Sequence, residues 1–465
     1  MDIETFLIGG RRVASSSDAS LEVTDPADGA ALGRIPAGTA ADASRAVAAA
    51  RAAAPAWART SPGERAAAVR AGARTLADHA EELAEVQHAE GGKPMGDSRG
   101  GVAAGIESLQ QHAELGPLHR GRSLEGSWGA MDLMVHEPLG VAALLVPWND
   151  PVAIACGLVG AALVTGNTVV LKPSERTPLS GLRLAELLCD ALPAGVLNVV
   201  LGDVRVARPL VADPDVDVVV HVGSVAVGRE IAEVCARQLK KAVLELGGKD
   251  AVIVDAGVDP AWAARQVAVG SFANAGQICT AAERVYVDAS VADAFLDELV
   301  IAAKGTEIGP LVDERHRDHV HRHVAEAVAA GATLHCGGDI PEGPGSWYPP
   351  TVVSGVRDDV ALMVEETFGP VAAVRVTGSF EESLELAKAG DHGLAAVVLT
   401  PSQEHAQRAW RELPVGTVKV NAMFGGAPGG AAQPGRGSGL GYGYGPELLD
   451  ELTRTKVVHV EPAPS

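Results

Sequence analysis

Residues 140–175 read GVAALLVPWNDPVAIACGLVGAALVTGNTVVLKPSE, and the alternation within them decides the fold class. Val141–Val146 is a short, continuous apolar run, the pattern of a strand buried on both faces. Pro151–Val164 is long enough for a helix and opens on proline, and Thr168–Leu171 is a second apolar run. The alternation continues downstream as a helix over Ser180–Ala191, strands over Val196–Leu201 and Val216–His221, a helix over Val225–Leu239 and a strand over Ala242–Leu246. Alternating strands and helices with near-continuous apolar strands predict an α/β domain whose parallel sheet is covered on both faces. Such sheets bind ligands beyond the carboxyl ends of their strands.

A second series follows. Ala251–Val254 and Arg284–Val287 read as strands around a helix at Pro260–Asn274, with a helix at Glu314–Ala330 and strands at Val371–Val376 and Ala395–Leu399. This predicts a second α/β domain, in keeping with a chain of 465 residues, too long for one core. Upstream, Ala40–Ala89 has helical spacing with Trp57, Leu76, Leu83 and Val86 along one face, and reads as a helical pair. Downstream, a Gly-rich stretch from Gly425 to Gly445 leads to the strand-like run Lys456–Val460, which lacks a local partner and is expected to pair with another subunit.

Composition narrows the function. Hydrophobic residues make up 47% and charged residues 21%, a globular balance. The formal net charge of −21, with no dense basic run, argues against a nucleic-acid partner. Met1-Asp2-Ile3-Glu4 is unlike a signal peptide, and Pro147, Asn149 and Asp150 interrupt the best apolar stretch, so no membrane segment is expected. Five scattered cysteines (156, 189, 235, 279 and 336) without a Cys-x-x-Cys pair suit a reducing cytoplasm and give no metal-site signature.

Four segments carry candidate chemistry: Val146-Pro147-Trp148-Asn149, Leu171-Lys172-Pro173-Ser174-Glu175, Glu245-Leu246-Gly247-Gly248-Lys249 and Phe272 to Cys279. Cys279 follows a Gly-Gln turn at the end of a helix, which suits a nucleophile at a loop mouth; the alternative is a buried structural cysteine. Glu245 ends a strand, where a carboxylate can activate water, or else form a salt bridge. The Asn149 amide, also at a strand end, can donate to a developing oxyanion or fix an Asx turn before Pro151. Lys172 and Glu175 can grip ribose hydroxyls, where Glu175 would repel a 2′-phosphate, or be a solvated helix start. Gly223-Ser224 followed by Gly228 suits a phosphate at a helix N-terminus, although neither a P-loop nor a strict Gly-x-Gly-x-x-Gly is present.

In this order the segments resemble the aldehyde dehydrogenase family. Further matches are Gly166-Asn167-Thr168, Gly195-Val196-Leu197-Asn198, Gly309-Pro310-Leu311, Glu365 to Pro370 and Gly416-Thr417, so the resemblance runs from about Ile8 to Lys456. It implies NAD-dependent oxidation of an aldehyde to an acid, with Cys279 as nucleophile, Glu245 as the base of deacylation and Asn149 as oxyanion donor. It places Val146, Pro147, Trp148, Lys172, Ser174, Glu175, Gly202, Gly223, Ser224, Leu246, Glu366 and Phe368 at the cofactor, with Glu175 favouring NAD and no metal implied. The implied architecture is a Rossmann-like NAD-binding domain (1–118 and 139–246), an α/β catalytic domain (247–445) and small β oligomerisation extensions (119–138 and 446–465) in a homodimer or homotetramer.

Some positions depart from the family pattern. Asp150 stands where an aromatic commonly follows the asparagine, Gly157 lacks another aromatic, and Pro428-Gly429-Gly430 replaces Pro-Phe-Gly-Gly. These changes predict a wide, polar substrate tunnel in which an ionised Asp150 attracts cationic or hydroxylated aldehydes. Ala273, six residues before Cys279, is neither the arginine of semialdehyde-oxidising members nor the tryptophan of betaine-aldehyde members. Around Tyr442-Gly443 the family's Arg-Glu is absent. Two competing functions are a CoA-acylating aldehyde dehydrogenase, which needs no water-activating Glu245, and a catalytically idle NAD-binding protein.

Overall fold

The computed structural model describes residues 3, 5–426 and 430–463, so Pro428 and Gly429 lie outside the described residues. One eight-stranded sheet orders Arg11–Ala14, Thr5–Ile8, Leu197–Val199, Thr168–Lys172, Val141–Leu145, Val218–Gly223, Lys241–Leu246 and Gly439–Leu440. Its five central strands are parallel, and all of Val141–Leu145 and Thr168–Lys172 is buried, which is why those runs are apolar without alternation. Numbered along the chain, the five central strands lie in the order 3-2-1-4-5. The winding reverses between Val141–Leu145 and Val218–Gly223, and a crevice opens at such a switch point beyond the carboxyl ends.

The second sheet orders Thr333–Cys336, Thr351–Ser354, Val371–Thr377, Arg284–Asp288, Ala251–Val254, Ala395–Leu399 and Thr417–Val420, parallel except for its first strand. Each sheet has its own apolar core, Leu144, Val170 and Val220 in the first, Ile253, Val285 and Val398 around the second. The mixed α/β class with two parallel sheets is as expected.

Several elements differ from expectation. Ala40–Ala89 forms three helices, Ala40–Arg59, Pro62–Asp78 and Ala80–Gly91, because Ser61 and Glu64 make a capping box with Pro62 at the first helical position. A further helix, Met95–Leu115, packs on Pro151–Val164. The helix from Pro260 stops at Phe272, since Asn274 and Ala275 take left-handed φ values of 50° and 54°. The terminal strand, Thr453–Val460, has a partner within its own chain after all: it pairs antiparallel with Met131–Pro138, which also pairs with Arg122–Leu124. That three-stranded ribbon leaves Thr453–Val460 as an edge. Among the described residues, no helix is long and apolar enough to cross a membrane.

Candidate active site

The switch-point crevice is a cavity of about 510 Å³ that reaches from the carboxyl end of the first sheet to the turn holding Cys279. Cys279, Glu245 and Asn149 all line it, as do Val146, Pro147, Trp148, Lys172, Ser174, Glu175, Gly223, Ser224, Leu246, Glu366 and Phe368. Gly202 is not among the lining residues, and a Cβ there would lie 2.7 Å from Gly38 N.

Cys279 opens into the cleft from a turn fixed at several points. The buried Gln277 amide donates to Asn274 O at 3.0 Å and accepts from Val312 N–H at 2.9 Å. Asn149 Nδ2 donates to Gln277 O at 3.0 Å, and Asn274 Nδ2 reaches back to Asn149 O at 3.2 Å. The left-handed Asn274 and Ala275 are therefore held by tertiary hydrogen bonds, and the asparagine and cysteine segments are clamped together. One Asn149 N–H is used in this way, leaving the second for a ligand. The close packing of the walls, with the nearby carboxylates of Asp250, Glu366 and Glu245, pushes the Cys279 thiol up to about 12.

Glu245 is the penultimate residue of the strand Lys241–Leu246 and accepts the Gly443 N–H at 2.8 Å. Burial pushes its carboxyl up to about 7, against the pull of that hydrogen bond. Gly443 is required there, since a Cβ would overlap the Glu245 side chain. The residue that departs from the family pattern thus makes room for, and orients, the carboxylate. Gly443 reaches it because Gly439–Leu440 crosses over to pair with Lys241–Leu246.

The segment bearing Glu366 and Phe368 is anchored from below. Buried Glu283 accepts from Thr367 N–H at 2.9 Å and Phe368 N–H at 2.8 Å while it is ion-paired with buried Lys249. Phe368 is held at a φ of 54° and meets Trp148 edge-on at 5.3 Å. Glu366 turns inward, accepting from Gly248 N–H at 3.0 Å, and burial, with Glu283 nearby, pushes it up to about 8. Glu283→Gln would strip Lys249 of its counter-charge, so urea unfolding is expected to show a loss of about 3–5 kcal/mol.

A comparison of the whole chain with known sequences decides the family. The profile of the aldehyde dehydrogenase family matches residues 13–458. The chain belongs to the aldehyde dehydrogenase family. It is an oxidoreductase that turns an aldehyde into a carboxylic acid. Its sequence is 38% identical to 3,6-anhydro-α-L-galactose dehydrogenase of Streptomyces coelicolor, over 98% of this chain and 96% of that one. It is 34% identical to lactaldehyde dehydrogenase of Escherichia coli, over 98% of each chain. The crystal structure of an NAD-dependent aldehyde dehydrogenase from Sinorhizobium meliloti superposes with a TM-score of 0.96, at 35% identity, over 100% of this chain and 96% of that chain.

In this aldehyde dehydrogenase the cleft also holds residues that sequence reasoning missed. Arg176 lies 5.4 Å from the centre of the Trp148 ring and pairs with Asp313 at 3.0 Å. His316 meets Trp148 and bonds Phe368 O at 2.7 Å, and Arg315 and His319 line the same wall. The available signal was His316, His319 and His323 recurring at one face of a single helix. Lys172 and Glu175 pair at 3.0 Å; burial would raise Glu175, but Lys172 holds it below the ordinary carboxyl range.

One expectation about the substrate end is corrected. Asp150 is not a lone charge, because Lys93 Nζ stands 3.0 Å from its Oδ1. Near Gly157, Ser108 Oγ lies 3.3 Å from where a Cβ would be. Among the described residues, the one gathering of metal-ligand type is His119, His136 and Asp450, outside this cleft, where the ribbon strand Met131–Pro138 meets the short helix Leu448–Glu451.

Proposed function

We propose that this aldehyde dehydrogenase uses NAD and reaches its acid product through a thioester on Cys279. The observation that carries the reading is that Cys279, Glu245 and Asn149 share one cleft with the residues suited to a dinucleotide. That cleft fits NAD on its own chemistry. Gly223 and Ser224 open the helix Val225–Gln238, whose first N–H groups suit a pyrophosphate. Lys172 and the ionised Glu175 suit the ribose hydroxyls, and Glu175 disfavours a 2′-phosphate. Glu366 and Phe368 suit the nicotinamide end, with Val146, Pro147, Trp148, Ser174 and Leu246 along the walls. When bound, NAD supplies the hydride acceptor.

The chain's own residues do the rest. The Cys279 sulfur attacks the aldehyde carbon as its thiolate, and the free Asn149 N–H donates to the oxyanion that forms. After oxidation the acyl group is a thioester on Cys279. Glu245, ionised, takes a proton from water, which attacks the thioester carbon and releases the acid and the thiolate. We assign 1–118 with 139–246 to cofactor binding, 247–445 to catalysis, and 119–138 with 446–465 to subunit association. Exposed Val457, Val460 and Met131 on the ribbon support association as a homodimer or homotetramer. Five free cysteines support a cytoplasmic location.

NADH formation from an aldehyde panel, with and without CoA, tests this reading. Free acid formed without CoA is the expected result. An absolute requirement for CoA would overturn the water-activating role of Glu245.

A further inference from the structure

Three segments far apart in the chain meet at the root of the three-stranded ribbon. His119 follows the long helix Met95–Leu115 after one short turn, Gly116–Leu118, and its N–H donates to Leu115 O at 2.9 Å. His136 lies on the ribbon strand Met131–Pro138, opposite Thr455. Asp450 lies on the short helix Leu448–Glu451, which leads into the terminal strand Thr453–Val460. Gly121 lets the first segment close on the second, since a Cβ there would overlap Met134 O.

The side chains converge as well. The imidazoles of His119 and His136 stack with centres 4.2 Å apart, and His119 Nε2 stands 2.8 Å from Asp450 Oδ1. One ligand-type atom from each of the three residues lies within 4.8 Å of the others. All three line a cavity of about 460 Å³ that shares no residue with the catalytic cleft. Asp450 is exposed and both histidines are half-buried, so solutes reach the group from solvent. Each neutral imidazole presents one nitrogen lone pair. Two such nitrogens and a carboxylate oxygen are the ligand set of a borderline divalent cation such as zinc, with water in the fourth position. Zinc bonds of about 2.0–2.1 Å put neighbouring ligand atoms about 3.3 Å apart. The set therefore has to draw together slightly, which the exposed Asp450 side chain permits. Arg120 and Arg122 on the same wall oppose a cation, but both are exposed and screened by solvent. An anion is opposed more directly, by the Asp450 carboxylate within the group itself.

We propose that His119, His136 and Asp450 bind one zinc-type divalent cation, which ties the ribbon down where its two long strands join the rest of the chain. His136 stands two residues before the end of one of those strands, and Asp450 three residues before the start of the other. A cation held by both, and by His119, cross-links three segments that backbone pairing alone leaves at the edge of the fold. Its role is structural, and the chemistry stays with Cys279.

The test uses the full chain carrying Cys279→Ala, so that the cleft thiol cannot capture the metal. After EDTA treatment and dialysis, zinc titrated calorimetrically should fill one site per subunit, and added zinc should raise the melting temperature. His119→Gln and His136→Gln, each added to that background, should weaken the site at least about tenfold, since even outer-shell partners of a metal are worth that much. Asp450→Asn, on the exposed side, should do the same and serves where a histidine variant fails to fold. Cobalt(II) in place of zinc should give visible d–d absorption with no thiolate charge-transfer band. Absence of a saturable zinc site overturns the proposal. So does a site that all three variants leave unchanged, which would move the metal to another group such as the histidines of Glu314–Ala329. Stabilisation by inorganic phosphate but not by zinc, abolished by the histidine variants, would make the cavity an anion site and overturn it equally.

Discussion

Cys279→Ala is expected to lower steady-state aldehyde oxidation by at least about 10⁴-fold, while NAD still binds with nearly its original affinity. The size follows from the absence of a substitute. Cys156 and Cys235 are buried, Cys189 and Cys336 are half-buried on other elements, and none of the four lines the cleft. Without sulfur at position 279 no acyl-enzyme can form, and Asn149 has no covalent adduct whose oxyanion it can stabilise. The same geometry predicts how the sulfur titrates. The packed walls of the cleft and the carboxylates of Asp250, Glu366 and Glu245 push the thiol up, so free enzyme near neutrality carries little thiolate. Inactivation by iodoacetamide should therefore accelerate steadily as pH rises above 7, with one label per subunit on Cys279. Bound NAD measured by fluorescence quenching separates loss of chemistry from loss of the fold. Retention of substantial turnover in Cys279→Ala, or a pH-independent alkylation rate, would contradict the nucleophile assignment.

The parts of this architecture that the sequence made legible share one physical property: local pattern coincides with tertiary role. Val141–Leu145 and Val218–Gly223 read as strands because central parallel strands are covered on both faces and need apolar side chains throughout. Asn149, Lys172, Glu175, Ser224 and Glu245 were legible because each lies at or shortly beyond such a strand's end, whereas Cys279, Glu366 and Phe368 lie on turns and were legible through the motifs shared with the family. Met95–Leu115 was not, since Gly96, Gly100, Gly101 and Gly105 lower its helix propensity and packing against Pro151–Val164 must compensate. Missing that region had a chemical consequence. Asp150 was read as an unpaired charge because its partner, Lys93, and the Gly101 that admits the pair, come from a stretch with no visible pattern. The Glu283–Lys249 pair that anchors Phe368 was hidden for a similar reason, as its partners lie 34 residues apart and meet only after the second sheet forms. Gly443 is the converse case. In the sequence it stood only as a departure from the family pattern, and the fold turns it into the donor that orients Glu245.

Glu245→Gln should separate the two halves of the reaction. Glutamine keeps the shape and still accepts the Gly443 N–H through its side-chain oxygen, so the cleft should remain intact. It cannot take a proton from water. Acylation of Cys279 then proceeds and hydrolysis stalls, giving a burst of one NADH per active site followed by a steady rate about 10²–10⁴-fold below that of the unaltered protein. Intact-protein mass should show the acyl group retained on Cys279. The raised carboxyl supplies the pH test and its sign. A general base works only when ionised, and burial has moved this one to about 7. Where hydrolysis limits turnover, kcat should rise with pH through that value and level off above it, because protonated Glu245 is inactive below. Gly443 limits the shift by stabilising the ionised form. In Glu245→Gln that rising limb near 7 should disappear, leaving only the dependence due to hydroxide in solution. Linear NADH formation without a burst, together with an unchanged pH profile, would move the base to another group and leave Glu245 a merely structural neighbour of Gly443.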